Sequence, residues 1–123
     1  MSLAGGDCAW CIDGGGDHLY IVLNDPVGEP PSVILVNITK WTRRKDQTLI
    51  IQPNMHPSLT VMSVLNCRDA DVVTATDAEN YLTTSGQSRP SASEAFLNQI
   101  KGGLRTSPFT PLKVIDFLLN FEI

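Results

Sequence analysis

The sequence predicts a mainly β fold (β+α), in which four or five short strands form a small barrel or half-open sheet and two helices follow at the C-terminus. Short runs of β-branched and aromatic residues recur up to residue 75 and are separated by turn-forming residues. The chain then becomes rich in Ser, Thr, Gly and Pro before apolar residues appear at helical spacing. A length of 123 residues fits one domain with one core. We therefore expect residues 1–123 to form a single domain, with the barrel in 6–75 and the helical part in 91–121.

Each strand is predicted where β-branched and aromatic residues cluster between turn formers. The Gly- and Asp-rich residues 5–17 leave room for one short strand around Cys8 to Ile12, and Asp13 to Asp17 then form a hairpin connection. Further strands are expected over residues 19–23, 33–39, 48–51 and 70–74, and residues 58–65 alternate imperfectly between apolar and polar side chains. Residues 26–32 are predicted to form a loop because their prolines fix φ and remove backbone donors.

Both helices are predicted from their start signals. The sequence Ser91-Ala92-Ser93-Glu94 has the spacing of a capping box, and we expect the helix to end at Gly102-Gly103. The second helix is expected to begin with Thr110 as its cap and Pro111 in its first turn. Its apolar face comprises Leu112, Ile115, Leu118 and Leu119.

Charge and hydropathy limit the classes of function. The formal net charge is −4, so the molecule as a whole repels a polyanion unless its cations gather on one face. Four of them do gather in the sequence, at Lys40, Arg43, Arg44 and Lys45. No apolar run approaches the roughly 20 residues that span a bilayer, and no export leader is visible. We therefore expect a cytoplasmic protein without a membrane segment.

The cysteines leave two interpretations open. Cys8 and Cys11 have the spacing at which two thiolates can bind one zinc ion, and Cys67 with His18 or His56 would complete four ligands. No second paired motif exists, so buried small hydrophobic residues beside a turn are the preferred interpretation. We expect no cofactor and no metal.

A few side chains are candidates for chemistry. His18 and His56 are the two histidines, and imidazole transfers protons near neutral pH. Thr39 and Ser63 offer hydroxyl groups, and Trp41 offers an aromatic face beside the basic segment. Each also has a structural interpretation, as a strand or turn residue or as part of the core.

Four segments carry a family resemblance when they are taken in order. They are Gly6-Asp7 before a short strand, the runs over 18–25 and 33–39, and the His56-Pro57 segment that leads to Ser63-Val64. Together they resemble the PemK/MazF-like group of plasmid-maintenance and cell-growth-inhibitor toxins, and in particular its uncharacterised branch. The resemblance covers residues 6–75 and rests on the order and spacing of these elements.

This resemblance implies a compact SH3-like antiparallel barrel with added helices, which forms a homodimer. It also implies a metal-independent endoribonuclease that helps a ribose 2′-hydroxyl of single-stranded RNA attack the adjacent phosphate, and an antitoxin protein as partner. Thr39 lies where the toxins keep Ser or Thr, and His18 lies near the position where they usually have Arg, so His18 takes the role of acid or base. The implied catalytic residues are His18, Thr39 and His56, and the implied RNA-binding residues are Arg43, Arg44, Lys45, Trp41 and Ser63.

A non-catalytic interaction module on the same barrel is the competing interpretation, and the acidic pI favours it. In that case the barrel face binds a protein segment, and the second helix, from Pro111 to Phe121, packs against a partner or a second copy. The two interpretations differ in side-chain placement. If His18, Thr39, Arg43 and His56 converge on one concave basic patch, the nuclease is favoured, and if they scatter, the nuclease interpretation fails.

Overall fold

The structure, a computed structural model, describes residues 3–13 and 16–123. Its strands are β1 (Cys8–Asp13), β2 (Gly16–Val22), β3 (Ser32–Lys40), β4 (Ile50–Ile51), β5 (Ser63–Leu65), β6 (Asp71–Thr74) and β7 (Gly86–Arg89). Its helices are α1 (Ala75–Ser85), α2 (Glu94–Thr106) and α3 (Leu112–Asn120), and two short 3₁₀ turns lie at Pro53–Met55 and Cys67–Asp69. Gly14 and Gly15, in the predicted hairpin connection, lie outside the described residues. Asp13 and Gly16 pair on either side of them.

The strands form one antiparallel sheet of seven strands in the order β4-β5-β3-β2-β1-β7, with β6 paired to β3 beside this path. β3 organises the sheet because it is long enough to pair with three strands. One of its edges pairs with β2, while the other edge pairs with β6 along its first half and with β5 along its last residues. Within the described residues the pairing ends at β4 and β7, so the sheet is open.

Side-chain alternation divides the sheet into two apolar faces. On the first face, β-strand residues such as Leu19, Ile21 and Ile38 pack with α2 and α3 in the larger core. On the second face, residues such as Val22 and Val33 pack with α1. Burying both faces removes the apolar strand residues from water, which is the main stabilising contribution to the fold. The C-terminal end of β3 extends beyond α1 on the second face.

The sequence prediction of a mainly β fold with C-terminal helices is confirmed, but its count of about five strands and two helices was too low. It missed α1 because that helix is mostly polar and buries only Ala78 and Leu82, which give little helical periodicity. Thr74 caps α1 by accepting a hydrogen bond from the backbone of Asp77 at 3.2 Å. It also missed β7, whose residues are polar and which forms by backbone pairing with β1. The predicted strand over 48–51 is shorter, at β4, and β5 lies within residues 58–65.

Helix boundaries also differ from the prediction. The cap of α2 is Ser93, which accepts from the backbone of Phe96 at 3.1 Å, and not the predicted capping box at Ser91. α2 continues through Gly102-Gly103, where we predicted its end, because Gly103 packs against the core with no space for a side chain. A Cβ atom there would lie 3.1 Å from Leu49. The predicted cap Thr110 instead donates its hydroxyl to the carbonyl of Leu104 at 2.7 Å.

None of the helices in the described part of the chain is both long enough and apolar enough to cross a membrane.

Candidate nucleic-acid cleft

A cleft of about 610 Å³ opens at the C-terminal end of β3. Four parts of the chain form its walls: the sheet, the loop between β3 and β4, the segment between β5 and β6, and the connection between α2 and α3. Its lining residues are His18, Thr39, Arg44, Lys45, Asp46, Gln47, Val64, Leu65, Asn66, Arg68, Asp69 and Phe109. Three of these carry positive charge and two are carboxylates, so the cleft is a cationic site on a protein of net charge −4.

His18 and Thr39 come from the neighbouring strands β2 and β3. The strands pair with Leu19 opposite Ile38, and the next residue on each strand is His18 on one and Thr39 on the other. Both side chains therefore project from the second sheet face into the cleft. The His18 ring packs edge-on against Tyr20, with 6.3 Å between ring centroids. The antiparallel register thus places an imidazole beside a hydroxyl group.

Lys45 connects the basic segment to this pair. Its Nζ donates hydrogen bonds to Thr39 Oγ1 at 2.9 Å and to the carbonyl of Lys40 at 2.8 Å. Thr39 is only 7% exposed, so its hydroxyl is held at the base of the cleft with an ammonium group beside it. An ammonium and a hydroxyl in contact can together donate to an anionic oxygen. The predicted residues Lys45 and Thr39 thus form one unit.

The loop over residues 41–49 is held by Gln47. The amide of Gln47 accepts from Trp41 Nε1 at 2.6 Å and donates to the carbonyls of Thr42 and Lys45 at 2.9 and 2.8 Å. These bonds fix the loop that presents Arg44 and Lys45 to the cleft. Trp41 is half-buried and supports the loop from outside the cleft lining.

Asp46 joins the loop to the α2–α3 connection. Its carboxylate accepts from the Ser107 hydroxyl at 2.5 Å and from the Thr48 hydroxyl and backbone at 2.6 and 2.9 Å. Burial opposes ionisation of Asp46, but these hydrogen bonds from Ser107 and Thr48 outweigh it and lower the pKa of the carboxyl group. Asp46 therefore acts as a structural anion that ties two walls of the cleft together.

The sequence analysis missed several lining residues, of which Arg68 and Phe109 are the most prominent. The Arg68 guanidinium lies over the Phe109 ring, 4.8 Å from its centroid. Asn66 donates to Asn37 Oδ1 at 3.3 Å and to Asp69 at 2.8 Å, which fixes the segment that carries Arg68. Arg68 is one cation among polar residues and Phe109 is a single aromatic residue in a loop, so neither gave a pattern in the sequence.

Arg43 is exposed on the same loop but does not line the cleft. His56 and Ser63 lie elsewhere. His56 is 2% exposed, and it accepts at Nδ1 from the Ser58 backbone at 3.0 Å and donates from Nε2 to the Pro90 carbonyl at 2.7 Å. Both ring nitrogens are thus used in holding two segments together. Ser63 is buried and donates to the carbonyl of Val61 at 3.0 Å.

The two cysteines of the Cys8-x-x-Cys11 pattern lie on opposite faces of the sheet. Cys8 belongs to the core on the first face and Cys11 to the core on the second, because they are three residues apart on one strand. Burial raises the pKa of the Cys8 thiol to about 11. Among residues 3–13 and 16–123, no three His, Cys, Asp or Glu side chains are grouped as metal ligands. This placement agrees with the preferred interpretation of the cysteines as core residues.

No family model and no curated protein matches the sequence. Among solved structures, the chain is similar to an endoribonuclease in complex with its cognate antitoxin from Mycobacterial species. The TM-score is 0.54 and the sequence identity is 21%, and the match covers 89% of this chain and 98% of that chain. At this identity the similarity shows a common fold. This chain therefore shares the fold of that antitoxin-bound endoribonuclease, in agreement with the fold that the resemblance to the PemK/MazF-like toxins implies.

Proposed function

We propose that this protein is a toxin-type endoribonuclease that cleaves single-stranded RNA in the cleft without a metal ion. One observation carries the proposal: His18 lies beside Thr39, and Lys45 donates to the Thr39 hydroxyl, within a cationic cleft. A group that transfers protons and donors for an anionic phosphate are the components that phosphodiester transfer by a 2′-hydroxyl requires.

In the proposed reaction, His18 takes the proton of the ribose 2′-hydroxyl while the 2′-oxygen attacks the adjacent phosphorus. The bond from phosphorus to the 5′-oxygen breaks, that oxygen takes up a proton from water as it leaves, and His18 afterwards releases its proton to water. The products end in a 2′,3′-cyclic phosphate and a 5′-hydroxyl. Negative charge develops on the phosphorane oxygens in the transition state, where the Thr39 hydroxyl, Lys45 and Arg44 stabilise it.

The rest of the predicted site takes supporting roles in this proposal. Arg43 and Trp41 belong to the rim of the loop and contact RNA that leaves the cleft. His56 and Ser63 maintain the scaffold, because their hydrogen bonds are made within the protein and away from the cleft. We also propose that the sheet is SH3-like and that residues 1–123 form a single domain.

The test uses a labelled single-stranded RNA with EDTA present and compares the wild type with His18→Ala and Thr39→Val. The wild type is expected to produce 2′,3′-cyclic phosphate ends, and both variants are expected to lose cleavage while the thermal midpoint falls by no more than about 4 °C. Ser63→Ala is the matched control, since it removes a buried hydroxyl from a neighbouring strand outside the cleft. Cleavage by His18→Ala at the wild-type rate would contradict the assignment.

A partner surface is favoured by a separate observation on α3. Leu112 and Leu119 are 73% and 68% exposed, and Phe121 just after the helix is 42% exposed. Apolar residues this exposed on one short helix are typical of an interface. We propose that α3 pairs with a second copy in a homodimer and that an antitoxin protein is the physiological inhibitor. A non-catalytic interaction module would use the same surface.

The oligomeric state tests this surface. Light scattering is expected to give the mass of a dimer for the wild type and of a monomer for Leu119→Glu. Lys113→Glu, which changes charge on the same helix at the ion pair with Asp71, is the control. If the wild type is inactive on every RNA but dimeric, the interaction module replaces the nuclease.

A further inference from the structure

Phe109 occupies an unusual position for a large apolar side chain. It lies in the connection between α2 and α3, lines the cationic cleft and is 46% exposed, although the larger core lies close to this connection. Leaving an aromatic ring in water forgoes the free energy of burying it. An aromatic ring held in a cleft beside cations is a typical contact for the bases of single-stranded nucleic acid.

Hydrogen bonds hold Phe109 in this position. The Ser107 hydroxyl donates to Asp46 at 2.5 Å and accepts from the backbone of Phe109 at 3.1 Å. Ser107 is buried, and its hydroxyl links Asp46 of the basic loop to the backbone of Phe109. The basic loop and the aromatic residue are thereby fixed relative to each other before any ligand binds, which reduces the entropy cost of binding.

Arg68 adds a second flat group to the ring. Its guanidinium stacks on the Phe109 ring at 4.8 Å from the centroid, which is within the range of a cation–π contact. The guanidinium plane stacks on bases and attracts the neighbouring phosphates. Phe109 and Arg68 together therefore offer a π surface and a positive charge at one wall of the cleft.

We propose that Phe109 and Arg68 form a stacking platform for one base of a single-stranded nucleic acid. The platform lies within the cleft of the proposed ribonuclease and rests on that function. It places a base on the α2–α3 side while the adjacent phosphate faces Arg44 and Lys45. Stacking tolerates any base because every base has a π face, so the platform supplies affinity and register and leaves sequence preference to other groups.

The test measures binding of a short single-stranded RNA that carries the fluorescent base 2-aminopurine. All measurements use the His18→Ala variant as the background, because it is expected to leave the RNA uncleaved. Stacking of the labelled base on Phe109 is expected to quench its fluorescence. Phe109→Ala is expected to abolish the quenching and weaken binding about 5- to 150-fold, the range for one stacked base. Phe109→Trp is expected to retain both signals.

Val61→Ala is the matched control, because Val61 is an apolar residue with the same exposed fraction, 46%, and lies outside the cleft lining. It is expected to leave affinity and quenching unchanged. An oligomer of the same length without bases supplies the second control. It is expected to bind Phe109→Ala and the unsubstituted background equally, because only phosphate contacts remain.

The dependence of RNA affinity on salt concentration distinguishes a failure of the stacking platform from a failure of the proposed function. Arg44→Ala is expected to reduce the slope of log affinity against log salt by about 0.7, the value for one phosphate contact to a single strand. Phe109→Ala is expected to leave that slope unchanged. Unchanged affinity and quenching in Phe109→Ala, with a lower slope in Arg44→Ala, would overturn the platform alone. If Arg44→Ala also binds like the unsubstituted background, the RNA-binding cleft itself is refuted.

Discussion

Replacing Lys45 with Met tests the unit that this residue forms with Thr39. The substitution keeps the length of the side chain but removes the ammonium group, whose Nζ lies 2.9 Å from Thr39 Oγ1 and 2.8 Å from the Lys40 carbonyl. Removing one preorganised donor from a site of developing charge lowers kcat by about 10²–10³-fold, or roughly 2.7–4 kcal/mol of transition-state stabilisation. We expect a loss of this size in the formation of 2′,3′-cyclic phosphate ends.

Stability is expected to change much less than activity. A hydrogen bond to a charged group contributes about 1.5–3 kcal/mol, and solvent screening at the half-buried Lys45 reduces this to about 1 kcal/mol. For a chain of 123 residues that corresponds to a decrease of about 4 °C in thermal midpoint.

The assay follows RNA cleavage under single-turnover conditions, with the thermal midpoint recorded for each variant. Lys40→Met is the matched control, because it removes the same charge from an exposed side chain that does not line the cleft. Wild-type kcat in Lys45→Met, or an equal loss in both variants, would refute the reasoning that the ammonium on Thr39 stabilises the transition state.

Further predictions concern packing, pH and thiol reactivity. Gly86→Ala is expected to lower the free energy of unfolding by about 1–3 kcal/mol in urea titrations, because its Cβ would lie 2.8–2.9 Å from three neighbouring atoms. Gly102→Ala, in α2 with no atom within 4 Å of the added Cβ, is expected to raise it by about 0.5–1 kcal/mol, and a loss would contradict this packing. Ser107→Ala removes a hydrogen bond that lowers the pKa of Asp46, so the wild type is expected to be more stable than the variant above about pH 4. The part of that difference that comes from Asp46 should disappear as the pH falls through the lowered folded-state pKa, and a difference that is the same at neutral and at acidic pH would exclude this linkage. Burial raises the pKa of the Cys67 thiol to about 11, so a disulfide reagent at pH 8 is expected to modify Cys67 only at the rate of unfolding. A rapid reaction of Cys67 in the native protein would contradict its burial.

Local patterns in the sequence were sufficient for the strands that carry the core. The runs around Leu19 to Leu23 and Val33 to Thr39 are β-branched and apolar on both faces, and both form long strands of the sheet. These runs are buried on both sides, between α1 on one face and α2 with α3 on the other, so their apolar pattern reports their environment directly. Phe96 and Ile100 of α2, four residues apart in the sequence, are likewise both buried in the core.

Elements without an apolar pattern could not be predicted in this way. α1 is mostly polar and buries only two residues, and β7 is a polar strand that forms by pairing with the edge of β1. The continuation of α2 through Gly102-Gly103 depends on the close packing of Gly103 against Leu49. Each of these features is stabilised by contacts with residues distant in the chain. The propensity of a segment depends on its own residues and therefore does not predict such contacts.

The candidate site shows the same division. The sequence by itself determined which residues can do chemistry: His18, Thr39 and the basic segment were identified from their types and from the family resemblance. Only the tertiary structure decided which of them meet, because strand register places His18 beside Thr39 and a folded loop returns Lys45 to the Thr39 hydroxyl. His56 lies outside the cleft, where it bonds to the Pro90 carbonyl. Phe109 lines the cleft, and its backbone donates to Ser107. The physical reason is that a side chain's type is local, whereas its neighbours are set by pairing and packing over the whole chain.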